Sequence, residues 1–480
     1  MNSFALGLAE IHEKLKTGEL TSTALIKEAI AKAKKLQGPY NAFVTILEDA
    51  SETVITDNVL SGIPYALKDN FSTKGILTTG SSNILKDYVP SFDASAVLKL
   101  KENGAVCIGK TVMDELAMGG SGQTGHTGPV KNAWDVNRIA GGSSAGSAVA
   151  VALGIVPYAI GSDSGDSIRI PAAYNGVVGF KPTYGLISRF GLFAFVSSTD
   201  TVGCFTRSVL DAAYVIDALK GKDEKDMTTY HDEIKYAEKL TKDVKGKKLF
   251  TIKELNEEYA EHYPDIYENY LLTIEKTRKL GMLVEEVSVN RDLLKGIYGA
   301  YFAISCAEAT SNNSNLTGII FGAREPGKTP DEVMFNTRTV GFSEFVKKRF
   351  VLGSYILQKE NQEKLFRNAQ RVRRLIVDKV NEYFKVYDGM LLPGQNPDIA
   401  PLIDENIDKL SDTYLILNQY LAIANFGCFP SISIPSGIVR ENPVAVNITC
   451  ATKNDLMALN IAYALESAIN FRALNERLGE

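Results

Sequence analysis

Histidine is scarce in this chain: four among 480 residues, His12, His126, His231 and His262. None forms an HxxxH pair, which argues against a histidine-based metal site and leads us to expect no metal. The shortage also leaves few candidates for the usual base that activates a serine. The five cysteines, Cys107, Cys204, Cys306, Cys428 and Cys450, are scattered and show no CxxC spacing. That pattern fits reduced thiols and no structural zinc, so a cytoplasmic location is expected. Positive charge is not in excess. A net charge of −5 argues against unaided tight binding to nucleic acid, but not against work on a nucleic acid held by a partner. The start, Met1-Asn2-Ser3-Phe4-Ala5, lacks the basic and apolar regions of a signal peptide. The longest apolar stretch, near Val149–Ile160, is too short to span a bilayer, so no membrane association is expected.

What is present is ordinary globular material, 45% hydrophobic and 23% charged, long enough for a large core. Residues 6–36 predict two helices, with Thr21 or Ser22 as a cap. Ile63 to Leu67 predicts a short buried strand with Lys68 at its end. A helix over Ser95–Asn103 and a strand over Ala105–Gly109 follow. The glycine-rich stretch 119–142 predicts irregular chain, Ala145–Leu153 a tightly packed helix, and Val156–Gly161 a buried strand. This alternation indicates an α/β fold, a sheet covered by helices. Dense charge over residues 220–248 predicts an exposed linker or surface helix, and Ser311–Asp331 a long loop. Phe345–Tyr383 predicts helices whose basic residues mostly form a solvated face. Asn454–Leu474 predicts an amphipathic helix capped by Asn454 or Asp455.

Two serine runs set in glycine carry most of the information. The first is Gly141-Gly142-Ser143-Ser144-Ala145-Gly146-Ser147. The second is Gly161-Ser162-Asp163-Ser164-Gly165-Asp166-Ser167. Small residues let a backbone take conformations that a Cβ forbids and bring its N–H groups close to a ligand. A hydroxyl in that frame is a candidate nucleophile with an oxyanion pocket around it. Two shorter patterns fail on context. Gly142 to Gly146 matches GxSxG, but residues 135–140 make a poor strand, and His231 and His262 lie in charged segments. Gly120 to Gly125 matches GxGxxG, but no strand precedes it and Pro129 breaks any helix after it. Without histidine, a neutral lysine can take a serine proton, because burial disfavours the charged amine. Lys68 ends an apolar run and suits that role, with a second serine relaying the proton. The plainer alternative pairs Lys68 with Asp69 at the surface.

The run from Gly141, the block Asp163–Ala172, the block Gly179-Phe180-Lys181-Pro182-Thr183-Tyr184-Gly185, and Ala66-Leu67-Lys68-Asp69-Asn70 together resemble the amidase signature family. That resemblance implies one amidase domain over residues 1–480. Its signature core would span about 60–210, its charged surface segment about 220–248, and its helical and strand part about 250–480. The implied fold is a central twisted mixed β-sheet covered by helices on both faces. It also implies a Ser–cis-Ser–Lys triad: Ser167 as nucleophile, Ser143 as bridge after a cis peptide from Gly142, and Lys68 as base. The N–H groups of Ser164, Gly165, Asp166 and Ser167 would form the oxyanion hole. Ser144 would help orient the relay or the substrate, and Arg169 would brace the turn. The family usually has glycine where this chain has Asp166. A carboxylate aimed at the oxyanion would oppose catalysis, whereas one pointing away would not.

Within that family the chain resembles the glutaminase subunits of tRNA-dependent amidotransferases. The segments that carry this are Asn41 to Thr45, Ser188 to Leu192, Ala194 to Ser198, Cys306 to Ala309 and Ala369 to Arg373. The resemblance implies a glutaminase whose ammonia passes to a tRNA-binding B subunit for conversion of Glu-tRNA(Gln) to Gln-tRNA(Gln), with a small C subunit completing the complex. No cofactor is implied in this chain; ATP and magnesium are expected at the partner. Arg373 would hold the α-carboxylate of glutamine, and Asn418 falls where the subfamily places an acid near the substrate ammonium. The alternatives are a stand-alone amidase of other small amides and a catalytically silent scaffold subunit.

Overall fold

The computed structural model describes residues 3–395, 398–403 and 420–471. Its centre is one mixed sheet of eleven strands. In chain order these are β1 Phe43–Ile46, β2 Pro64–Lys68, β3 Val106–Thr111, β4 Tyr158–Asp163, β5 Val178–Lys181, β6 Thr201–Thr206, β7 Lys248–Ile252, β8 Leu283–Val287, β9 Gly389–Pro393, β10 Ser431–Val439 and β11 Asn442–Thr449. Across the sheet the order is β1-β3-β2-β4-β6-β5-β10-β11-β9-β7-β8. β2 runs parallel to both β3 and β4, in register Ala66↔Ala159 and Leu67↔Ile160. β4 then pairs antiparallel with β6. Every residue of β2, β4, β5, β6, β9 and β11 is buried, so helices cover both faces. Strands buried on both sides read as continuous apolar runs, which is why β2 and β4 stand out in the sequence.

The predicted first helices form as Leu8–Thr17 and Ser22–Tyr40, divided by Gly18 in the left-handed region (φ 76°). Thr21 is the cap; its hydroxyl accepts from Ala24 N at 3.2 Å. Helices Ser95–Glu102 and Ala145–Ala152 also form. All eight residues of the second are buried, and its small side chains bring it against β2 and β4. The helix Asp455–Ile469 forms, but neither expected cap works as one. Asn454 makes no side-chain cap bond, and Asp455 reaches across to Thr183, accepting from its N at 2.8 Å and its Oγ1 at 2.6 Å. Asn470, left-handed at φ 52°, ends that helix.

Two expectations for charged stretches hold in the main, each with buried exceptions. Segment 220–248 contains only a short helix, Tyr236–Lys239, and is pinned rather than free. Tyr236 is fully buried, and its N and that of Ala237 donate to the Asp217 carboxylate at 2.9 Å each. Among the basic residues of 345–383, most are exposed, but Arg349 is buried and Arg373 half-buried. The helices Arg291–Asn312, Glu344–Leu357 and Asn368–Phe384 build a second apolar core with Phe195 and Tyr301 beside the signature region. The loop between Asn312 and Pro330 is as long as expected. Among the described residues no helix is long and apolar enough to cross a membrane.

Candidate active site

Lys68 ends β2 with its side chain wholly out of solvent. Its Nζ lies 2.7 Å from Ser143 Oγ, 2.9 Å from Ser162 Oγ and 3.3 Å from Ser162 O. Burial lowers its pKa to about 7, against the pull of Asp114, Asp163 and Asp200. A surface pair with Asp69 does not form. Alternation along the chain turns Asp69 to other partners: its Oδ2 accepts from Thr79 N at 3.0 Å and Ser81 N at 3.2 Å, and Lys110 Nζ stands 3.9 Å from Oδ1. A fully buried amine with hydroxyl partners and no carboxylate in contact is poised to be neutral near pH 7.

The Gly142–Ser143 peptide is cis. Asp114 supports this bend: its N donates to Ser143 O at 3.2 Å, and its carboxylate accepts from Gly122 N at 2.9 Å and Thr124 Oγ1 at 2.9 Å. The chain packs so closely here that a Cβ on Gly142 would lie 2.0 Å from Asp114 Oδ2. The GxGxxG stretch is thus the loop that cradles Ser143; Gly120 O accepts from Gly142 N at 2.8 Å. No strand leads directly into the GxSxG stretch; the last one before it, β3, ends at Thr111.

Ser167 sits in the turn between β4 and the helix Arg169–Asn175. Ser144 N donates to Ser167 O at 3.3 Å, which holds the two serine runs together. Among the described residues nothing bonds the Ser167 hydroxyl, and none of the backbone N–H groups of Ser164, Gly165, Asp166 and Ser167 has an acceptor. Four consecutive amide donors without acceptors, next to a hydroxyl without a partner, are groups that an oxyanion can use. Arg169 braces this turn. It is fully buried, pairs with Asp163 at 3.1 Å, donates to Gly165 O at 2.6 Å, and reaches Asn425 Oδ1 at 2.6 Å and Leu421 O at 2.7 Å. Burial works against the Asp163 carboxylate, yet Arg169 beside it holds the pKa below the usual value.

A sequence model of the family Amidase matches residues 24–459. The chain belongs to the amidase family. It is 40% identical over 477 residues to the A subunit of glutamyl-tRNA(Gln) amidotransferase from Oenococcus oeni, covering 96% of each chain. It is 39% identical over 478 residues to that of Streptococcus pneumoniae, covering 97% of this chain and 96% of the other. Among solved structures it is similar to the glutamyl-tRNA(Gln) amidotransferase A subunit of Thermotoga maritima, at 36% identity and a TM-score of 0.82, over 97% of this chain and 95% of that one.

The remaining expected residues of this amidase take varied places. Ser144 Oγ donates to Ser162 O at 3.0 Å, so its hydroxyl is engaged with β4. Arg373 does not present a free guanidinium. Its Nε donates to Phe426 O at 3.1 Å, Nη1 to Ser198 Oγ at 3.1 Å and Nη2 to Ser198 O at 3.2 Å. Asn418 lies outside the described residues. Two groups were not anticipated. Ser162 Oγ gathers Lys68 Nζ and Asn70 Nδ2 (3.0 Å), clamping the amine in place. Arg349 is 5% exposed and stacks on Phe345 and Phe302, yet its Nε and Nη1 have no hydrogen-bond partner. Its helical phase was the available signal: Phe345, Val346, Arg349, Phe350, Gly353 and Ile356 share the buried face. Tyr301 packs against Gly165, where an added Cβ would meet its ring at 2.7 Å.

Proposed function

We propose that this amidase hydrolyses the side-chain amide of glutamine and serves as the ammonia-supplying component of a tRNA-dependent amidotransferase. The observation that carries the chemistry is the buried Lys68 Nζ at 2.7 Å from Ser143 Oγ, next to Ser167 and its free amide donors. The near full-length likeness to the glutamyl-tRNA(Gln) amidotransferase proteins supports the substrate and the assembly.

Neutral Lys68 takes the Ser143 proton while Ser143 takes that of Ser167. The Ser167 oxygen then attacks the glutamine Cδ. The N–H groups of residues 164–167 hold the oxyanion, each such donor contributing about 2.7–4 kcal/mol. The proton returns through Ser143 to the leaving nitrogen, and ammonia departs. Water, deprotonated along the same path, cleaves the glutamyl ester, so glutamine and water yield glutamate and ammonia. Two lower barriers replace one. ATP, magnesium and the tRNA belong to the B subunit, and a small C subunit completes the complex, in the cytoplasm.

The test is ammonia release from glutamine by this chain, alone and with its B and C subunits, Glu-tRNA and ATP, with Ser167→Ala as control. Release that rises in the assembly and vanishes in the variant is expected. Equal activity alone, or faster turnover of simple amides, would instead indicate a stand-alone amidase. No release under any condition would indicate a silent scaffold.

A further inference from the structure

Four buried carboxylates surround the nucleophile turn, and three are spoken for. Asp163 is paired with Arg169 and accepts from Ile168 N and Asn425 Nδ2. Asp114 accepts from Gly122 N and Thr124, and Asp200 from Ser164 Oγ, Phe195 N and Val196 N. Asp166 is the exception. It is only 6% exposed, yet its carboxylate accepts no hydrogen bond and enters no ion pair among the described residues; only its backbone O is used, by Ile170 N at 3.0 Å. Its oxygens are not among the sealed, orphaned polar atoms, so they face space that solvent or a ligand reaches.

That space adjoins the reacting groups. Asp166 directly precedes Ser167 and contributes one of the four free N–H groups, so its carboxylate is only a few bonds from the donors proposed to hold the amide. Tyr301 flanks the same turn, within electrostatic reach of both Asp166 and Arg349. The turn therefore carries one nearly buried anion that no cation meets. Burial, then the nearby Asp163, push the Asp166 carboxyl up to about 7, as expected of an acid whose counter-charge is missing.

The geometry points to Asp166 as a specificity-determining residue that receives the ammonium group of the substrate, so that this chain selects amides carrying a positive charge close to the scissile carbonyl. The inference rests on the amide-hydrolysis reading of the site and deepens it. With Asp166 on the ammonium, glutamine with a free amino group is preferred over a chain-internal glutamine, whose nitrogen is acylated and uncharged. A hydrogen bond between an ionised pair in a buried site is strong enough to discriminate by one to two orders of magnitude.

The experiment compares kcat/KM for ammonia release from L-glutamine and from glutaramic acid, which lacks only the amino group. The full chain is used with its partner subunits, as wild type, Asp166→Asn and Asp166→Gly. Melting temperatures report folding. The expected result in both variants is a roughly 10- to 100-fold fall in the ratio of kcat/KM on glutamine to kcat/KM on glutaramic acid, carried mainly by KM for glutamine. Equal losses on both substrates, or undiminished preference for glutamine in folded variants, would overturn the inference. Should the wild type ignore glutamine but cleave simple amides, the glutaminase reading fails. The charge preference is then read from 4-aminobutanamide against butanamide, where indifference overturns it and a preference lost in Asp166→Asn supports it.

Discussion

At the residue scale, the proposed mechanism depends on a lysine that gives up its charge. The Lys68 pKa of about 7, lowered by burial, sets the direction of the pH response. Below 7 the amine is protonated and cannot accept the serine proton; above 7 it is neutral and can. Ammonia release is therefore expected to fall by about tenfold per pH unit below 7 and to level off above it, as a rate profile from pH 5 to 9 would record. Lys68→Ala should lower kcat by roughly 100- to 10,000-fold with little change in KM. Gly142→Ala, whose Cβ would meet Asp114 Oδ2 at 2.0 Å, should lower stability by about 1–3 kcal/mol, measured by urea unfolding, and slow turnover as well. Lys68 was legible because it closes an apolar run. Ser162 was not, since its hydroxyl meets Lys68 only through the parallel register of β2 and β4.

At the element scale, the first helix is held by a distant acid. Its N-cap, Gly7, has no side chain to offer, and Asp211 in the helix Val209–Leu219 accepts from Leu8 N at 2.9 Å instead. Asp211→Ala should cost about 1–2 kcal/mol. Burial raises the Asp211 pKa to about 6, above its unfolded value of about 4. The folded state thus binds that proton more tightly. The stabilisation is complete below pH 4 and is lost as pH rises through 6. Asp211→Asn, which stays neutral, should melt higher than wild type at pH 8 and no higher at pH 4. Local pattern revealed these helices, but not this cap, because its two halves lie 203 residues apart. Asp455 shows the same thing in reverse: a good capping residue by sequence, drawn away to Thr183 by tertiary contact.

Across the whole molecule, Arg169 joins the signature core to the C-terminal part. It binds Asp163 on one side and Leu421 O, Asn425 and Ser431 on the other. Removing it strands a buried carboxylate, so Arg169→Ala should destabilise by about 3–5 kcal/mol and lower activity. Circular dichroism and ammonia release, followed together through urea, should then fall at the same lower denaturant concentration. For the wild type, coincidence of the two curves in a single transition is the expectation for one domain over residues 1–480, and two separated steps would contradict it.

The sequence by itself determined the candidate residues for the chemistry and the elements nearest them. The glycine–serine runs, the apolar β2 and β4 and the lysine between them are local patterns, each readable within a dozen residues. Only the tertiary structure decided which charges are spent. Arg373 and Arg349 are equally basic on paper, yet one donates to the carbonyl oxygens of Phe426 and Ser198 and the other seals its Nε and Nη1 in the interior without a hydrogen-bond partner. Asp163 and Asp166 stand three residues apart in one turn, yet only the first meets a guanidinium. Hydrogen-bond partners come from segments far apart in the chain, and the availability of a buried charge depends on those partners rather than on its neighbours in sequence.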